Sequence, residues 1–177
     1  TVLISPEALL NQPQASYARL LTDAGFEIRY PKNPTFTRGL GPEEETIEAL
    51  RDAVAVIAGG EYLTRRVIES SPSLRVIARS GVGFDRVDIA AATRRGILVS
   101  NVPDYAIQEV SDHALALLLA ANRRLIPAHT AARSRQWGTT AMAGVRRLAS
   151  QTVGVVGFGR IGQAMARKVK PLAARVV

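Results

Sequence analysis

Apolar and polar positions follow two rhythms along the first hundred residues. Short aliphatic runs of strand character occupy Val2–Ser5, Phe26–Tyr30, Val54–Ala58, Leu74–Ala78 and Ile97–Ser100. Between them, apolar residues recur at helical spacing over about 14–24, 43–51, 64–70 and 85–95. Strands alternating with helices predict βαβ units and a parallel sheet, because a parallel neighbour is reached only by a crossover. Turn residues punctuate the pattern: Ala24-Gly25 closes the first helix, Gly59-Gly60 ends the third strand, and Gly96 closes the helix before Ile97. The segment from Pro31 to Pro42 reads as a surface loop.

A longer helical pattern covers 106–124, with Asp104 as its candidate cap and Ile107, Val110, Ala114, Leu117, Leu118 and Ala121 at helical spacing. Residues 114–121 are apolar on every side, which predicts a helix buried all round or placed in an interface. Leu125 to Ser150 reads as irregular and holds Trp137, the only tryptophan. A new unit follows: a strand over Thr152–Val156, a glycine turn, a helix over Arg160–Leu172 and a strand opening at Ala174.

Composition narrows this picture. Hydrophobic residues make up 47% of the 177 and aromatics only 5%, so the core must be aliphatic, as in parallel sheets buried on both faces. There is no cysteine. Disulfides and thiolate metal sites are excluded, and a reducing cytoplasm is the simplest expected compartment. The chain opens directly into Val2-Leu3-Ile4 without a leader-like run, and its longest apolar stretch, Ala114–Ala121, is too short to cross a bilayer. A soluble protein without a membrane partner is expected. The net charge of +8 is scattered in arginine pairs: Arg65-Arg66, Arg94-Arg95, Arg123-Arg124 and Arg146-Arg147. These pairs fall near predicted helix ends, where cations favour the macrodipole. A nucleic-acid binder gathers its charge into one stripe with aromatics between, so no nucleic-acid partner is expected. No Asp, Glu and His grouping has metal-ligand spacing, and there is no Ser or Cys nucleophile motif. His113 and His129 read as structural or solvated rather than catalytic.

The densest chemical signal is Gly157-Phe158-Gly159-Arg160-Ile161-Gly162, a G-x-G-x-x-G turn between a strand and a helix. Gly157 can take the backbone angles of a tight turn. Gly159 leaves room for a pyrophosphate at the backbone, and Gly162 allows close packing of helix on strand. The free N–H groups near Arg160 and Ile161 then face the phosphates, aided by the helix dipole. The alternative is a βαβ turn that uses its glycines only for packing. Arg160 is equally compatible with a phosphate contact or a solvated surface. The acid expected about 20 residues after the motif, which distinguishes NAD from NADP, falls past Val177.

Three blocks together resemble the D-2-hydroxyacid dehydrogenase family, which includes phosphoglycerate dehydrogenase, glyoxylate reductase and the C-terminal-binding-protein corepressors. They are Ala78-Arg79-Ser80-Gly81-Val82-Gly83-Phe84-Asp85-Arg86-Val87-Asp88; Asn101-Val102-Pro103-Asp104-Tyr105 leading to Glu109-Val110-Ser111-Asp112-His113-Ala114; and the glycine turn. The second block leans toward the corepressor-like bacterial branch. The resemblance implies an α/β fold: a flavodoxin-like parallel-sheet substrate domain over 1–101, then the start of a Rossmann domain over 102–177 that includes the long interdomain helix 106–124. It implies NAD as cofactor, with NADP not excluded, held by Gly157, Phe158, Gly159, Arg160, Ile161 and Gly162. It also implies that the amides of Gly81, Val82 and Gly83, with Ser80, hold the carboxylate of a small 2-hydroxy or 2-oxo acid, and that Val82 touches the cofactor as well. Consecutive amides in a glycine-flanked turn form an anion nest. Without the resemblance, Ser80–Gly83 reads equally well as a plain strand-to-helix turn. Arg79 has two readings, an anchor for an anionic substrate or a structural partner.

The family's catalytic His, Glu and Arg match nothing in these residues, so the resemblance places them beyond residue 177. The leading expectation is an NAD(P)-dependent oxidoreductase acting by hydride transfer, a homodimer through the helix near 106–124, whose 177-residue part is inactive by itself. The alternative is a dinucleotide-sensing corepressor-like module without turnover.

Overall fold

Aliphatic strands bordered by glycine turns produce the parallel sheet that the pattern predicts. The computed structural model describes residues 1–33, 36–138 and 140–177. Pro34 and Thr35 of the expected loop 31–42, and Thr139 of the segment 125–150, lie outside the described residues. The chain divides into two units, Thr1–Tyr105 and Ala106–Val177.

The first unit contains five strands, β1 (Val2–Ile4), β2 (Ile28–Arg29), β3 (Ala55–Ala58), β4 (Val76–Arg79) and β5 (Leu98–Ser100). They form one sheet in the order β2-β1-β3-β4-β5, with every pairing parallel. This is the flavodoxin-like order, whose ligands bind beyond the carboxyl ends of the strands. Register aligns Leu3, Val56, Ile77 and Val99 in one row, and the first three are buried with Leu50, Leu63, Val67, Ile68 and Leu74. The crossovers are α1 (Ser16–Asp23), α2 (Glu43–Leu50), α3 (Arg65–Glu69) and α4 (Ile89–Arg94). Thr64 caps α3 by accepting from the Val67 amide (3.3 Å), and Asp88 caps α4 by accepting from the Ala91 amide (2.8 Å).

Arg94-Arg95 closes α4 and Arg123 closes α5 as the dipole expectation has it, whereas one pair departs from it. Arg65 and Arg66 open α3 rather than close it. They sit there because acids outweigh the dipole: Arg65 pairs with Glu69 (2.7 Å), and Arg66 bridges Glu43 (3.2 Å) and Glu44 (2.7 Å). Arg95, at the end of α4, donates to the carbonyls of Ile68 (2.8 Å) and Pro72 (3.2 Å) and so ties down the end of α3.

The second unit has α5 (Ile107–Asn122), α6 (Leu125–Arg133) and α7 (Arg160–Val169), with β6 (Thr152–Val153) parallel to β7 (Arg175–Val176). Two expectations need correction. Asp104 does not cap α5; Ala106 does the entry in the left-handed region (φ 62°) without a side-chain cap. The segment 125–150 is not irregular throughout, because α6 begins at once after Arg124, which is also left-handed (φ 50°). Pro127 lies in the first turn of α6, where its missing N–H removes no helical bond. Nor is α5 buried all round: Ser111 is its one buried residue, while Val110, Leu117 and Leu119 are exposed. Lys168 fastens α7 to α5, donating to Asp112 (2.5 Å), Ser111 (2.7 Å) and the Gln108 carbonyl (3.1 Å). No described helix is long and apolar enough to cross a membrane.

Candidate functional site

Each unit carries one glycine-rich loop singled out by sequence. In the first, all strands are parallel, so the segments after β1, β3, β4 and β5 emerge at the same sheet edge. The loop Ser80–Gly83 continues β4 there. The Ser80 amide and hydroxyl both donate to the Ala58 carbonyl (3.1 Å each), which fixes where the loop leaves the sheet.

Beyond Ser80 the loop is held by its carbonyls. Gly81 accepts from the Val102 amide (3.1 Å), Val82 from the Asn101 side-chain amide (2.8 Å), and Gly83 from Nε of Arg79 (2.9 Å). In a trans peptide the N–H points opposite to the C=O of the same unit. Fixing three carbonyls therefore aims the amides of Val82, Gly83 and Phe84 the other way. Among the described residues none of these amides, nor that of Gly81, donates to a protein acceptor. Val82 and Phe84 are exposed, and a side chain added at Gly81 would meet open space. The arrangement offers unpaired donors in fixed orientation, which is what an anion requires. Neither Gly81 nor Gly83 has positive φ, so the orientation comes from the three acceptor bonds and not from a left-handed glycine.

Arg79 is committed to backbone: besides Gly83 it donates to the Gly59 carbonyl. Of its two readings from sequence, the geometry displays a structural one, with carbonyls rather than a carboxylate as partners. Beside it, Glu61 is buried. It accepts from the Ser5 hydroxyl (2.6 Å) and the Gly59 amide (3.0 Å). Burial pushes the Glu61 carboxyl above its ordinary value, against the opposing pull of the Ser5 hydroxyl, two backbone amides and the Arg79 charge. No motif in the sequence marks a role for Asn101 or Glu61. The signal for Glu61 was an acid placed directly after the Gly59-Gly60 strand terminus.

In the second unit the three motif glycines differ in what holds them. Gly157 lies at φ +90°, a conformation that disfavours any side chain. Gly162 sits in the first turn of α7, where an added Cβ would fall 2.0 Å from the Gly157 carbonyl oxygen. Gly159 has extended backbone and open space in front of its Cα, and it is the N-cap of α7. The strand-to-helix turn thus has one glycine for the bend, one for close approach and one facing outward. That third position is open to a group as large as a phosphate, next to helix amides without intrahelical acceptors. Phe158 and Ile161 are exposed beside it. A dinucleotide fits these residues.

His113 and His129 lie exposed on α5 and α6, and among the described residues neither makes a hydrogen bond or ion pair; Asp112, next to His113, is bound to Lys168. No group of three His, Asp or Glu among the described residues could hold a metal ion.

Residues 8–169 match the family model described as D-isomer specific 2-hydroxyacid dehydrogenase, catalytic domain. A glyoxylate reductase of Pyrococcus furiosus is 38% identical over 143 residues, 77% of this chain and 43% of that protein. A D-3-phosphoglycerate dehydrogenase of Mycobacterium leprae is 39% identical over 153 residues, 85% of this chain and 27% of that protein. Among solved structures, an NAD-dependent formate dehydrogenase of Staphylococcus aureus in complex with NAD superposes with a TM-score of 0.74 at 28% identity, covering 99% of this chain and 54% of that one. A D-lactate dehydrogenase of Aquifex aeolicus, complexed with NAD and lactic acid, shares the fold with a TM-score of 0.77 at 24% identity, over 99% of this chain and 49% of that one. The chain therefore spans less than half the length of the two curated relatives.

Proposed function

The chain belongs to the D-isomer-specific 2-hydroxyacid dehydrogenase family, and from that premise we propose that the whole protein interconverts a D-2-hydroxy acid and its 2-oxo acid with NAD(H) or NADP(H). The observation that carries the proposal is the pair of glycine-rich loops, one with unpaired fixed amides and one with an open N-terminal helix turn. In this reading the Val82 and Gly83 amides bind the substrate carboxylate by charge-assisted hydrogen bonds. Gly157, Gly159 and Gly162 shape the turn whose amides at Arg160 and Ile161 hold the pyrophosphate. Phe158 and Val82 add apolar contact with the cofactor. A bound nicotinamide supplies the hydride acceptor or donor. The proton transfer that must accompany hydride transfer needs an acid or base, which these residues lack, so the family's His, Glu and Arg are placed elsewhere in the whole protein. The domains follow the same reading: substrate binding by residues 1–101 and dinucleotide binding by the portion from 102.

The test is NADH oxidation by the full-length protein with glyoxylate, pyruvate and hydroxypyruvate, together with NADH affinity by calorimetry. Gly159→Val is expected to lose NADH affinity by at least tenfold, since it fills the open position. Unchanged affinity would remove the cofactor assignment. NADH binding without turnover of any 2-oxo acid would favour the corepressor-like alternative. We further propose a homodimer through the exposed apolar side of α5. Light scattering of the Leu117→Glu variant is expected to report a monomer, and a monomeric parent protein at micromolar concentration would defeat the idea.

A further inference from the structure

Bonds from inside the first unit converge on the loop that faces the substrate. Glu61 is buried, 1% exposed. Its Oε2 accepts from the Gly59 amide at 3.0 Å, and that amide also points at Ser5 Oγ at 2.8 Å. The Ser5 hydroxyl lies 2.6 Å from Glu61 Oε1 and 3.3 Å from the Ile57 carbonyl. One carboxylate and one hydroxyl thus hold the peptide preceding Gly59. The carbonyl of Gly59 accepts from Arg79, and Nε of the same guanidinium donates to the Gly83 carbonyl. A guanidinium is planar and its donors form a rigid fork. Moving the Gly59 carbonyl therefore rotates the bond to Gly83, and with it the Phe84 amide of the same peptide unit.

We propose that Glu61 is a positioning residue for the substrate loop, acting through Gly59 and Arg79 on the orientation of the Phe84 amide at the Gly83 end of the loop, beside the Gly83 amide. The inference rests on the reading of that loop as the carboxylate site. Glu61 is suited to the task because it is an acceptor for two donors at once. A glutamine of the same shape turns its NH2 toward Ser5, whose hydroxyl must then accept instead of donate and pass its proton to the Ile57 carbonyl at 3.3 Å, while the charge that faces Arg79 is lost, so the hold on the Gly59 peptide is altered. An exposed acid would not transmit such a shift, since water would replace the missing partner. Asn101 and Val102 hold the other two loop carbonyls independently, so the loop stays in place and only its Gly83 end is re-aimed.

The experiment compares steady-state glyoxylate reduction by the full-length protein and its Glu61→Gln, Arg79→Lys and double variants, with Kd for NADH measured alongside. For Glu61→Gln, KM for glyoxylate is expected to rise roughly ten- to a hundredfold, the range expected when a binding group is misplaced by a fraction of an ångström to an ångström. NADH affinity stays within twofold. Arg79→Lys cannot keep the fork and is expected to behave alike, and the double variant to be no worse than the poorer single one, because both act through one chain of bonds. If Glu61→Gln does not fold, Ser5→Ala, which removes the bridging hydroxyl and keeps the charge, is read in its place and is expected to raise KM severalfold. A folded Glu61→Gln or Ser5→Ala with unchanged KM overturns the proposal, as do multiplicative effects in the double variant. Val82→Pro separates this failure from that of the underlying reading, since it deletes a loop amide outright. Unchanged KM in Val82→Pro removes the carboxylate site itself; raised KM there with unaltered Glu61→Gln removes only the positioning role.

Discussion

The two units are built by the same βα grammar, and residues 106–177 contain two strands where residues 1–105 contain five. In the first, a row such as Leu3, Val56 and Ile77 is sealed, and its α3 and α4 have side-chain caps. In the second, Ser111, Ala164 and Val169 are the only buried residues among those described, and none of its three α-helices has a side-chain cap. Val156 is fully exposed, and Trp137 is 85% exposed. The difference follows from strand number. Two parallel strands and one crossover leave most of both faces without cover, whereas five strands with four crossovers close over an aliphatic core. The functional loops inherit this contrast. Ser80–Gly83 is held by a set of bonds from neighbouring segments, while the 157–162 turn is held by the fit of glycine against glycine.

The strongest way to break the comparison is to hollow each unit in turn. Ile77→Ala removes a fully buried side chain and is expected to cost about 3 kcal/mol. Val153→Ala in β6, only half-buried, is expected to cost about 1 kcal/mol. Urea unfolding followed separately for each unit, with Trp137 fluorescence reporting the second, would reveal equal costs if the contrast is false. Next in size is the turn. Gly162→Val drives a side chain into the Gly157 carbonyl and is expected to cost about 2 kcal/mol, whereas Gly159→Val stays within about 0.5 kcal/mol while losing NADH affinity. Equal melting temperatures for the two variants would contradict the division of labour between the glycines.

Smaller again is the cap. Asp88→Ala should cost the first unit about 1 kcal/mol, read as a shift in its unfolding midpoint; no comparable single cap exists to remove from α5, α6 or α7. The smallest effect is a slope. Burial raises the folded value for Glu61 above the ordinary carboxyl value near 4.5. The unfolded chain therefore gives up its proton first as pH rises. The stability linked to this group is complete below that ordinary value and is lost as pH climbs through the raised folded one. Glu43 and Glu44 act oppositely, since their bonds to Thr64 and Arg66 lower them. Denaturation of the parent and Glu61→Gln across pH 4–8 should differ in slope with that sign, and parallel curves would count against the burial argument.

Much of this was legible in the residues. Five strand-like runs located five strands: β1, β3 and β4 through apolar stretches that the core buries, β2 and β5 as partly exposed edge strands; and the motif glycines located the turn to the residue. The ends of helices were less legible. Asp104 looked like a cap and 125–150 like an irregular stretch, yet left-handed Ala106 and Arg124 stand where α5 and α6 start, and nothing local in Ala or Arg marks that choice. The bonds around Glu61 were illegible for another reason. Ser5, Gly59, Glu61 and Arg79 come from three separate strand ends, and only the β1-β3-β4 order makes them neighbours.

That order also has a temporal consequence during synthesis. β1 is made first but lies inside the sheet, flanked by β2 and β3, and Val2 finds its partner Ala55 only after some fifty further residues have been joined. At the usual pace of translation the wait is roughly 3–10 s. Through that interval Val2-Leu3-Ile4, buried in the finished unit, keeps the edge that β3 later covers without its partner.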